Sequence, residues 1–584
     1  MDRMREKTIF VGMIVIVFCI FVAAPSPAPA ATGTCSVGFF NSLNLPNTVF
    51  TCPSPYTACT VVENATPVAH CEVIGYINPR TGVDGKSYAI GFHLRLPDSW
   101  NGKFYFQGGG GTDGTLGDAG IANGALAMQY AVVSTDAGHD NTIDYDPSAG
   151  GTAAFGVDPQ ARIDYGYNAL DQVTQTAKSI INSYYGSNIL YSYFVGCSNG
   201  GRQGMVVSQR FPTYFDGIVA GDPGFDLPKA AVAEAWNEQA LAPLATEIST
   251  QGEPYLPDTF TDADLELASN AILAACDGLD GLVDGIVDNY AACTSWRVYP
   301  QLKAIQCTGP KTSSCLSEGQ IEALKIIYAG PHNSHWKPLY TDWQWDPGIY
   351  APGFALGFRF WDLGFPVASG QPLVNNAANL TLGGGSLPHV FVTPPAITPV
   401  TGLEAYIFGF NFDTDAPKIF ETSGIYTESS MEFMSARSTH LKPFKKHGGK
   451  MIIYHGNADA VFSPHDTINW YEAMDDRMHG KARHFVRLFL VPGMTHCALG
   501  PSTYAFDAFT PLVEWVEKGI APDSIIAMAP PGTPWPGRTR PLCPYPEQTR
   551  YKGSGSIEDA DNFVCKWPHH KHGHDFDHDY YPYP

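Results

Sequence analysis

The chain is predicted to be an α/β protein: a mostly parallel sheet flanked by helices and interrupted by a long insertion. Three observations predict this. Short apolar runs of strand character alternate with amphipathic helical stretches up to about residue 224. The same alternation resumes at Lys450. Between them, over 225–437, proline, tryptophan and glycine are dense and no period holds, as in "HWKPLYTDWQWDPGIYAPGFALGFRFWDLGFP".

The elements follow in order. Arg3, Arg5 and Lys7 precede the apolar run "TIFVGMIVIVFCIFVAA", and "APAAT" offers small residues for cleavage near Ala30 or Ala31, so residues 1–31 read as an export signal. The first part of the core is expected over 32–224. "YAIGFHLRLP", "GKFYFQ" and "YAVVSTD" read as strands. "YGYNALDQVTQTAKSIINSYYG" has helical spacing, with Ala169, Val173, Ala177, Ile180 and Ile181 on one face. "ILYSYFVG" is a short buried strand, "GRQGMVVSQRFP" a helix stopped before Pro212, and "FDGIVAGDPG" a further strand and turn. The second part of the core, 438–566, contains "KMIIYHGNAD" and "HFVRLFLVPGMTHC". The tail 567–584 is His-rich, polar and expected to be disordered.

Composition narrows the function. The chain has 584 residues and a formal net charge of -22. An acidic surface excludes nucleic acid as a partner, because phosphate binding needs a basic one. Thirteen cysteines are present, and removing Cys19 with the signal leaves an even number in an exported chain. That parity implies disulfides and a secreted or periplasmic protein with no membrane attachment after cleavage. Cys52 and Cys59, Cys276 and Cys293, Cys307 and Cys315, and Cys543 and Cys565 are near neighbours in sequence; Cys35, Cys71, Cys197 and Cys497 remain.

The chemistry centres on Gly196-Cys197-Ser198-Asn199-Gly200, a Gly-x-Ser-x-Gly frame between a predicted strand and a predicted helix. This is the nucleophile elbow of α/β-hydrolases, in which glycines permit a cramped turn that lifts the serine above the sheet. A serine needs a base, and the order of that fold is Ser, then Asp or Glu, then His. Asp459 and His496 stand at the ends of the two later strands in that order. Cys197 precedes the serine and Cys497 follows the histidine, so in an exported protein these two are expected to pair. A thiolate nucleophile at Cys197 would need a free thiol in an oxidising compartment. The oxyanion needs two donors. The backbone of Asn199 supplies one and Gly111, in "FYFQGGGGTDG", the other. Those glycines lack the Gly-Lys-Ser/Thr ending of a phosphate loop. Asp277, Asp280, Asp284 and Asp288 crowd "CDGLDGLVDGIVDNYAAC", a density of hard oxygen donors suited to calcium, with the carbonyls of Leu282 and Ile286 available; the alternative is a solvated acidic turn.

The Cys-Ser and His-Cys neighbours, the "GGGGTDG" loop and the bracketed aspartate loop together resemble the tannase and feruloyl esterase family, from about Cys71 to Cys565. "DPQARIDYGYNALDQVTQ", "SQRFPTYFDGIVAGDPG" and "TRPLCPYP" look most like the branch of that family that hydrolyses terephthalate half-esters. The resemblance implies an α/β-hydrolase core with a large inserted lid domain. It implies Ser198, Asp459 and His496 as a triad and Gly111 and Asn199 as an oxyanion hole. It also implies structural calcium (Ca2+) on Asp277, Asp280, Leu282, Asp284 and Ile286, and a substrate pocket lined by His455, Trp361, Ser386 and Phe391. The expected activity is that of a serine carboxylesterase acting on small aromatic esters of feruloyl or galloyl type through an acyl-enzyme, as a monomer. Terephthalate half-ester hydrolysis is the alternative, and a non-catalytic ligand-binding protein on the same fold is the alternative of another class. One departure bears on the choice. The half-ester branch grips its substrate's carboxylate with a lid arginine, whereas the matching stretch here, "NNAANLTLGGGS" at 375–386, has none, and Arg359 is the nearby lid arginine.

Overall fold

A computed structural model describes residues 31–353 and 356–568. The expected export signal, apart from Ala31, and the tail beyond Pro568 lie outside the described residues. Ten strands form one sheet: β1 (Thr48–Val49), β2 (Thr60–Ala65), β3 (His70–Thr81), β4 (Ser87–Pro97), β5 (Lys103–Gln107), β6 (Ala131–Thr135), β7 (Tyr191–Cys197), β8 (Gly217–Gly221), β9 (Lys450–Gly456) and β10 (Val486–Val491). Their order is β1-β3-β4-β6-β5-β7-β8-β9-β10, with β2 paired to β3. From β6 to β10 all neighbours are parallel, while β1 to β4 pair antiparallel and β4 joins β6 antiparallel. In register, Cys197 lies opposite Gly221, Gly221 opposite Tyr454, and Gly456 opposite Val491. The carboxyl ends of β7 to β10 therefore share one edge, where open α/β sheets collect their sites.

The strand β3 is longer than its sequence advertises. Gly75, Pro79 and several polar residues mask its period, yet β1, β2 and β4 all pair with it and bury most of its first eight residues. The helices behave as expected. In α1 (Ala169–Tyr185) Ala169, Val173, Ala177, Ile180 and Ile181 are fully buried. The helix α2 (Asn199–Arg210) starts directly after Ser198. Among the described residues, no strand of the sheet lies between β8 and β9. That stretch is built of α3 (Leu227–Leu241), α4 (Asp262–Cys276), shorter helices and single turns. Beyond β10, the helix α5 (Phe509–Lys518) is followed by two hairpins: β11 (Ile525–Met528) with β12 (Thr539–Leu542), and β13 (Gln548–Tyr551) with β14 (Phe563–Lys566).

The insertion does not keep a core of its own. Val73 and Phe194 of the sheet belong to the same buried apolar cluster as Leu256, Leu324 and Ile407 of the insertion. Arg162, 1 % exposed, stitches the two parts together. Its guanidinium donates to the carbonyls of Gly156, His389 and Val392 and to the Thr393 hydroxyl. Burial pulls its pKa down to about 10, so it stays cationic at neutral pH. Replacing it strands several buried acceptors, each costing about 1–3 kcal/mol. Arg162→Met is expected to lower stability by about 3 kcal/mol or more, measured by denaturant unfolding; a change within 0.5 kcal/mol would show that the stitch is redundant.

Candidate active site

The turn at Ser198 is strained in the way its neighbours permit. Ser198 has φ 63° and ψ −126°, a region that L-residues avoid. A Cβ at Gly196 would stand 2.6 Å from the carbonyl of Gly200, and one at Gly200 would stand 2.6 Å from the carbonyl oxygen of Gly109. Bare glycines are thus what lets β7, α2 and the glycine-rich loop meet. The Ser198 N–H donates to the Gly221 carbonyl at 3.0 Å, fastening the turn to β8.

His496 follows β10. Its Nδ1 is 2.8 Å from Asp459 Oδ2, and Asp459 Oδ1 accepts the N–H groups of Val461 at 2.9 Å and Phe462 at 3.1 Å. Burial works to raise the pKa of Asp459, but the charge and hydrogen bonds of His496 and His455 overcome it and hold the carboxyl well below the usual range. His496 Nε2 is buried and meets no hydrogen-bond partner. The imidazole is boxed edge-on by Trp361 and Phe462, with ring centroids 5.3 Å away in each case. Cys197 and Cys497 are disulfide-bonded across 300 residues, with Cα atoms 5.9 Å apart, so Ser198 and His496 flank a single crosslink.

The glycine-rich loop is organised by Asp113, which the sequence did not single out. One carboxylate oxygen accepts the Gly110 N–H at 3.1 Å; the other accepts the side-chain amides of Asn199 and Gln203, both at 2.8 Å. Gln203 in turn accepts the Gly109 N–H at 2.9 Å, and the Tyr165 hydroxyl donates to the Gly111 carbonyl at 3.1 Å. Gly111 has φ +56°, and neither its N–H nor that of Asn199 donates to a protein acceptor among the described residues.

The pocket residues divide. Trp361, expected in the pocket, stands edge-on to His496. Ser386 is 6 % exposed and donates to the Leu382 carbonyl at 3.0 Å. The other two are buried more deeply. His455 is fully buried, with Nδ1 2.8 Å from Thr467 Oγ1 and Nε2 3.0 Å from the Phe462 carbonyl and 3.4 Å from Asp459 Oδ2. Its polar atoms are spent on the protein, and it stands beside Asp459. Phe391 is 1 % exposed and packs in the apolar core. Phe462 and Asp222, like Asp113, are residues that sequence reasoning missed. Asp222 accepts the Gly456 N–H at 2.8 Å and lies 3.9 Å from His455 Nε2. Asp222, His455 and Asp459 are close enough to share a metal ion, but the imidazole already bonds within the protein.

All twelve described cysteines are paired, including Cys35 with Cys71, Cys52 with Cys59, Cys276 with Cys293, Cys307 with Cys315 and Cys543 with Cys565. In the aspartate loop Asp277 accepts the N–H groups of Asp284 and Gly285, Asp280 accepts that of Leu282, and Asp284 pairs with Arg540. No protein donor meets the carbonyls of Leu282 and Ile286 or the carboxylate of Asp288 among the described residues. An all-oxygen set with free carbonyls fits a hard divalent cation. Asp277, Asp280 and Asp284 are each engaged separately, and the acidic side chains do not converge by themselves.

Comparison with known proteins decides the family. The tannase and feruloyl esterase profile matches residues 71–566. The chain belongs to the tannase and feruloyl esterase family. It is a carboxylic ester hydrolase by that membership. It is 49% identical over 519 residues to the mono(2-hydroxyethyl) terephthalate hydrolase of Piscinibacter sakaiensis, covering 85% of each chain. It is 32% identical over 508 residues to a probable feruloyl esterase of Arthroderma benhamiae, covering 83% of each. Its fold is that of an esterase from Aspergillus oryzae (TM-score 0.70, 24% identity, 91% of this chain and 99% of the other). Feruloyl esterase B of the same organism also matches (TM-score 0.64, 24% identity, 92% and 95%).

The Asp113 hub gives a pH signature. Burial, opposed by Arg202 and by hydrogen bonds, pushes its carboxyl up to about 7. A raised acid holds its proton longer when folded, so its contribution is full below the unfolded value of about 4 and is lost as pH rises to about 7. Relative to wild type, Asp113→Asn is expected to gain stability steadily between pH 4 and 7, by at most about 4 kcal/mol at 1.36 kcal/mol per unit. Denaturant unfolding across that window measures it; parallel stability curves would contradict the assignment.

Proposed function

We propose that this chain is an exported serine esterase that cleaves esters of aromatic carboxylic acids through an acyl-enzyme. The observation that carries the reading is His496: it is oriented by Asp459, unpartnered at Nε2, and crosslinked beside Ser198. Ser198 Oγ attacks the ester carbon as its proton passes to His496 Nε2. The Gly111 and Asn199 N–H groups receive the oxyanion. Asp459, held ionised, stabilises the imidazolium. His496 then returns the proton to the departing alcohol. A water deprotonated by the same nitrogen cleaves the acyl-enzyme. Six disulfides support export to an oxidising compartment. We read 225–437 as a lid, and Trp361 as the surface on which an aromatic acyl group stacks.

A second reading, hydrolysis of a terephthalate half-ester, is favoured by the 49% identical relative. The charge of the lid speaks for neutral esters instead. Arg359 is 6 % exposed, pairs with Asp262 at 3.1 Å and donates to the Phe260 carbonyl at 2.6 Å, so it is not free to clamp a carboxylate. Residues 375–386 supply no cation.

Calcium is proposed as a structural ion on Asp277, Asp280, the Leu282 carbonyl, Asp284 and the Ile286 carbonyl. When bound it supplies positive charge that draws the acidic loop together; Arg540 already holds one side of Asp284.

Ser198→Ala is expected to lower kcat on ethyl ferulate by about three orders of magnitude or more; near wild-type turnover would overturn the assignment. Chelator is expected to lower the melting temperature of the wild type, as loss of a folded-state ligand at about 100 times its Kd removes about 2.7 kcal/mol. Asp280→Ala is expected to abolish that response. An unchanged wild-type melting curve would leave a bare acidic turn.

A further inference from the structure

Four glycines in a row, from Gly108 to Gly111, give the loop beside Ser198 a backbone that no Cβ restrains. Such a loop is free to turn a peptide over and carry its N–H away from a developing oxyanion. Buried side chains hold it instead. The peptide that bears the Gly111 N–H is gripped on both sides. Ahead of it, the Gly110 N–H donates to Asp113 Oδ1 at 3.1 Å. Behind it, the Gly111 carbonyl accepts the Tyr165 hydroxyl at 3.1 Å.

The two grips belong to one circuit. Asp113 Oδ2 accepts the Asn199 side-chain amide at 2.8 Å, and the Asn199 side-chain oxygen accepts Arg202 Nε at 2.7 Å. Arg202 Nη2 donates to the Tyr165 carbonyl at 3.1 Å, and the Tyr165 hydroxyl returns to Gly111. The circuit therefore runs through Gly110, Asp113, Asn199, Arg202, Tyr165 and Gly111 and closes on the loop where it began. It contains both residues read above as the oxyanion donors. Asn199, Arg202 and Tyr165 are at most 2 % exposed, so bulk water does not compete for these bonds.

Tyr165 is placed by its backbone and its neighbours. It lies in a single π-helical turn, Asp164–Asn168, directly ahead of α1, and such turns gather at functional sites. Phe155 and His139 wall its ring edge-on, with centroids 5.2 and 6.0 Å away, and the Arg202 guanidinium lies over the ring at 5.4 Å. Burial pushes the phenol well above its usual pKa, so the hydroxyl keeps the proton it donates. Arg202 also donates to the carbonyls of Gly166 and Met434 at 2.8 and 3.3 Å. A Cβ at Gly166 would stand 2.4 Å from the Phe433 carbonyl oxygen, so that glycine is bare to let the end of the insertion close on the turn.

We infer that Tyr165 and Arg202 are positioning residues of the oxyanion hole: they close a buried ring that fixes the Gly111 and Asn199 N–H groups, and they serve turnover rather than substrate affinity. This rests on the serine-esterase reading above and deepens it.

The test uses Tyr165→Phe, which keeps the ring and removes only the hydroxyl. Removing an oxyanion donor outright costs about 10²–10³ in kcat, and loosening its aim costs less. On ethyl ferulate kcat is expected to fall about tenfold while KM stays within about twofold. Two inhibitors separate the states. Phenylboronic acid, whose boron becomes tetrahedral on Ser198 Oγ, is expected to bind about tenfold more weakly to the variant. Ferulate, the product, is expected to bind equally well. Arg202→Lys, which keeps the charge but loses the planar fork, is expected to show the same split. Tyr185→Phe is the control: that hydroxyl is also buried and also donates to a backbone carbonyl, that of Pro97 at 2.7 Å, but it lies outside the ring, and kcat is expected to be unchanged. A Tyr165→Phe kcat within about twofold of wild type overturns the assignment. Equal weakening of both inhibitors overturns it too, since general loosening of the pocket does that, as does an equal kcat loss in Tyr185→Phe. These outcomes leave the esterase reading intact as long as Ser198→Ala is inactive; an active Ser198→Ala defeats that reading, and the ring's role with it.

Discussion

The bond between Cys197 and Cys497 joins the last residue of β7 to the residue after His496 and so closes a loop of 300 residues. Without it, no covalent link holds serine and histidine together across a sheet whose strands β8 and β9 are separated in sequence by the whole insertion. Chain-entropy reasoning values such a crosslink at up to about 5–6 kcal/mol. Its geometric effect matters more here. Ser198 beside the bond and Cys497 within it sit in sparsely allowed backbone conformations, with φ 63° and φ 67°. Strain of that kind persists only when the surroundings over-determine it, and the crosslink is one of the determinants.

The remaining determinants are polar and buried. Asp113 ties the glycine-rich loop to the start of α2, Asp459 fixes the imidazole, and His455 with Asp222 stands behind Asp459. Each is held by hydrogen bonds within the protein: Asp113 by the Gly110 N–H and the Asn199 and Gln203 amides, Asp459 by the Val461 and Phe462 N–H groups, His455 by Thr467 and the Phe462 carbonyl, and Asp222 by the Gly456 N–H. This is preorganisation: donors and charges are in place before substrate arrives, so little reorientation is needed as charge develops. The insertion adds the other half. Because it shares one apolar core with the sheet, Trp361 and Leu382 are held beside His496 and Gly111 by core packing.

Much of this was legible in the sequence. The elbow was readable because glycine on both sides of Ser198 has a steric reason, and the order of Ser198, Asp459 and His496 along the chain follows from successive strand ends. The helix at 169–185 announced itself by its spacing. Local cysteine pairs were readable from proximity. What stayed hidden has physical causes. The strand β3 carries Gly75 and Pro79 and takes its stability from three partners, which no local pattern reveals. Asp113 looks like one more polar loop residue until Asn199 and Gln203, far along the chain, converge on it. His455 is the penultimate residue of β9, and the family resemblance suggested the pocket for it; its burial and its hydrogen bonds place it behind the aspartate.

The most direct measurement is the turnover of the Cys197→Ser, Cys497→Ser double variant, purified folded, on ethyl ferulate. If the crosslink positions His496 against Ser198, kcat falls by about a hundredfold, the scale of a small misplacement of a catalytic group, while KM changes little and the far-ultraviolet circular dichroism is retained. A double variant with wild-type kcat would contradict the account, because the serine and histidine would then find each other without the bond.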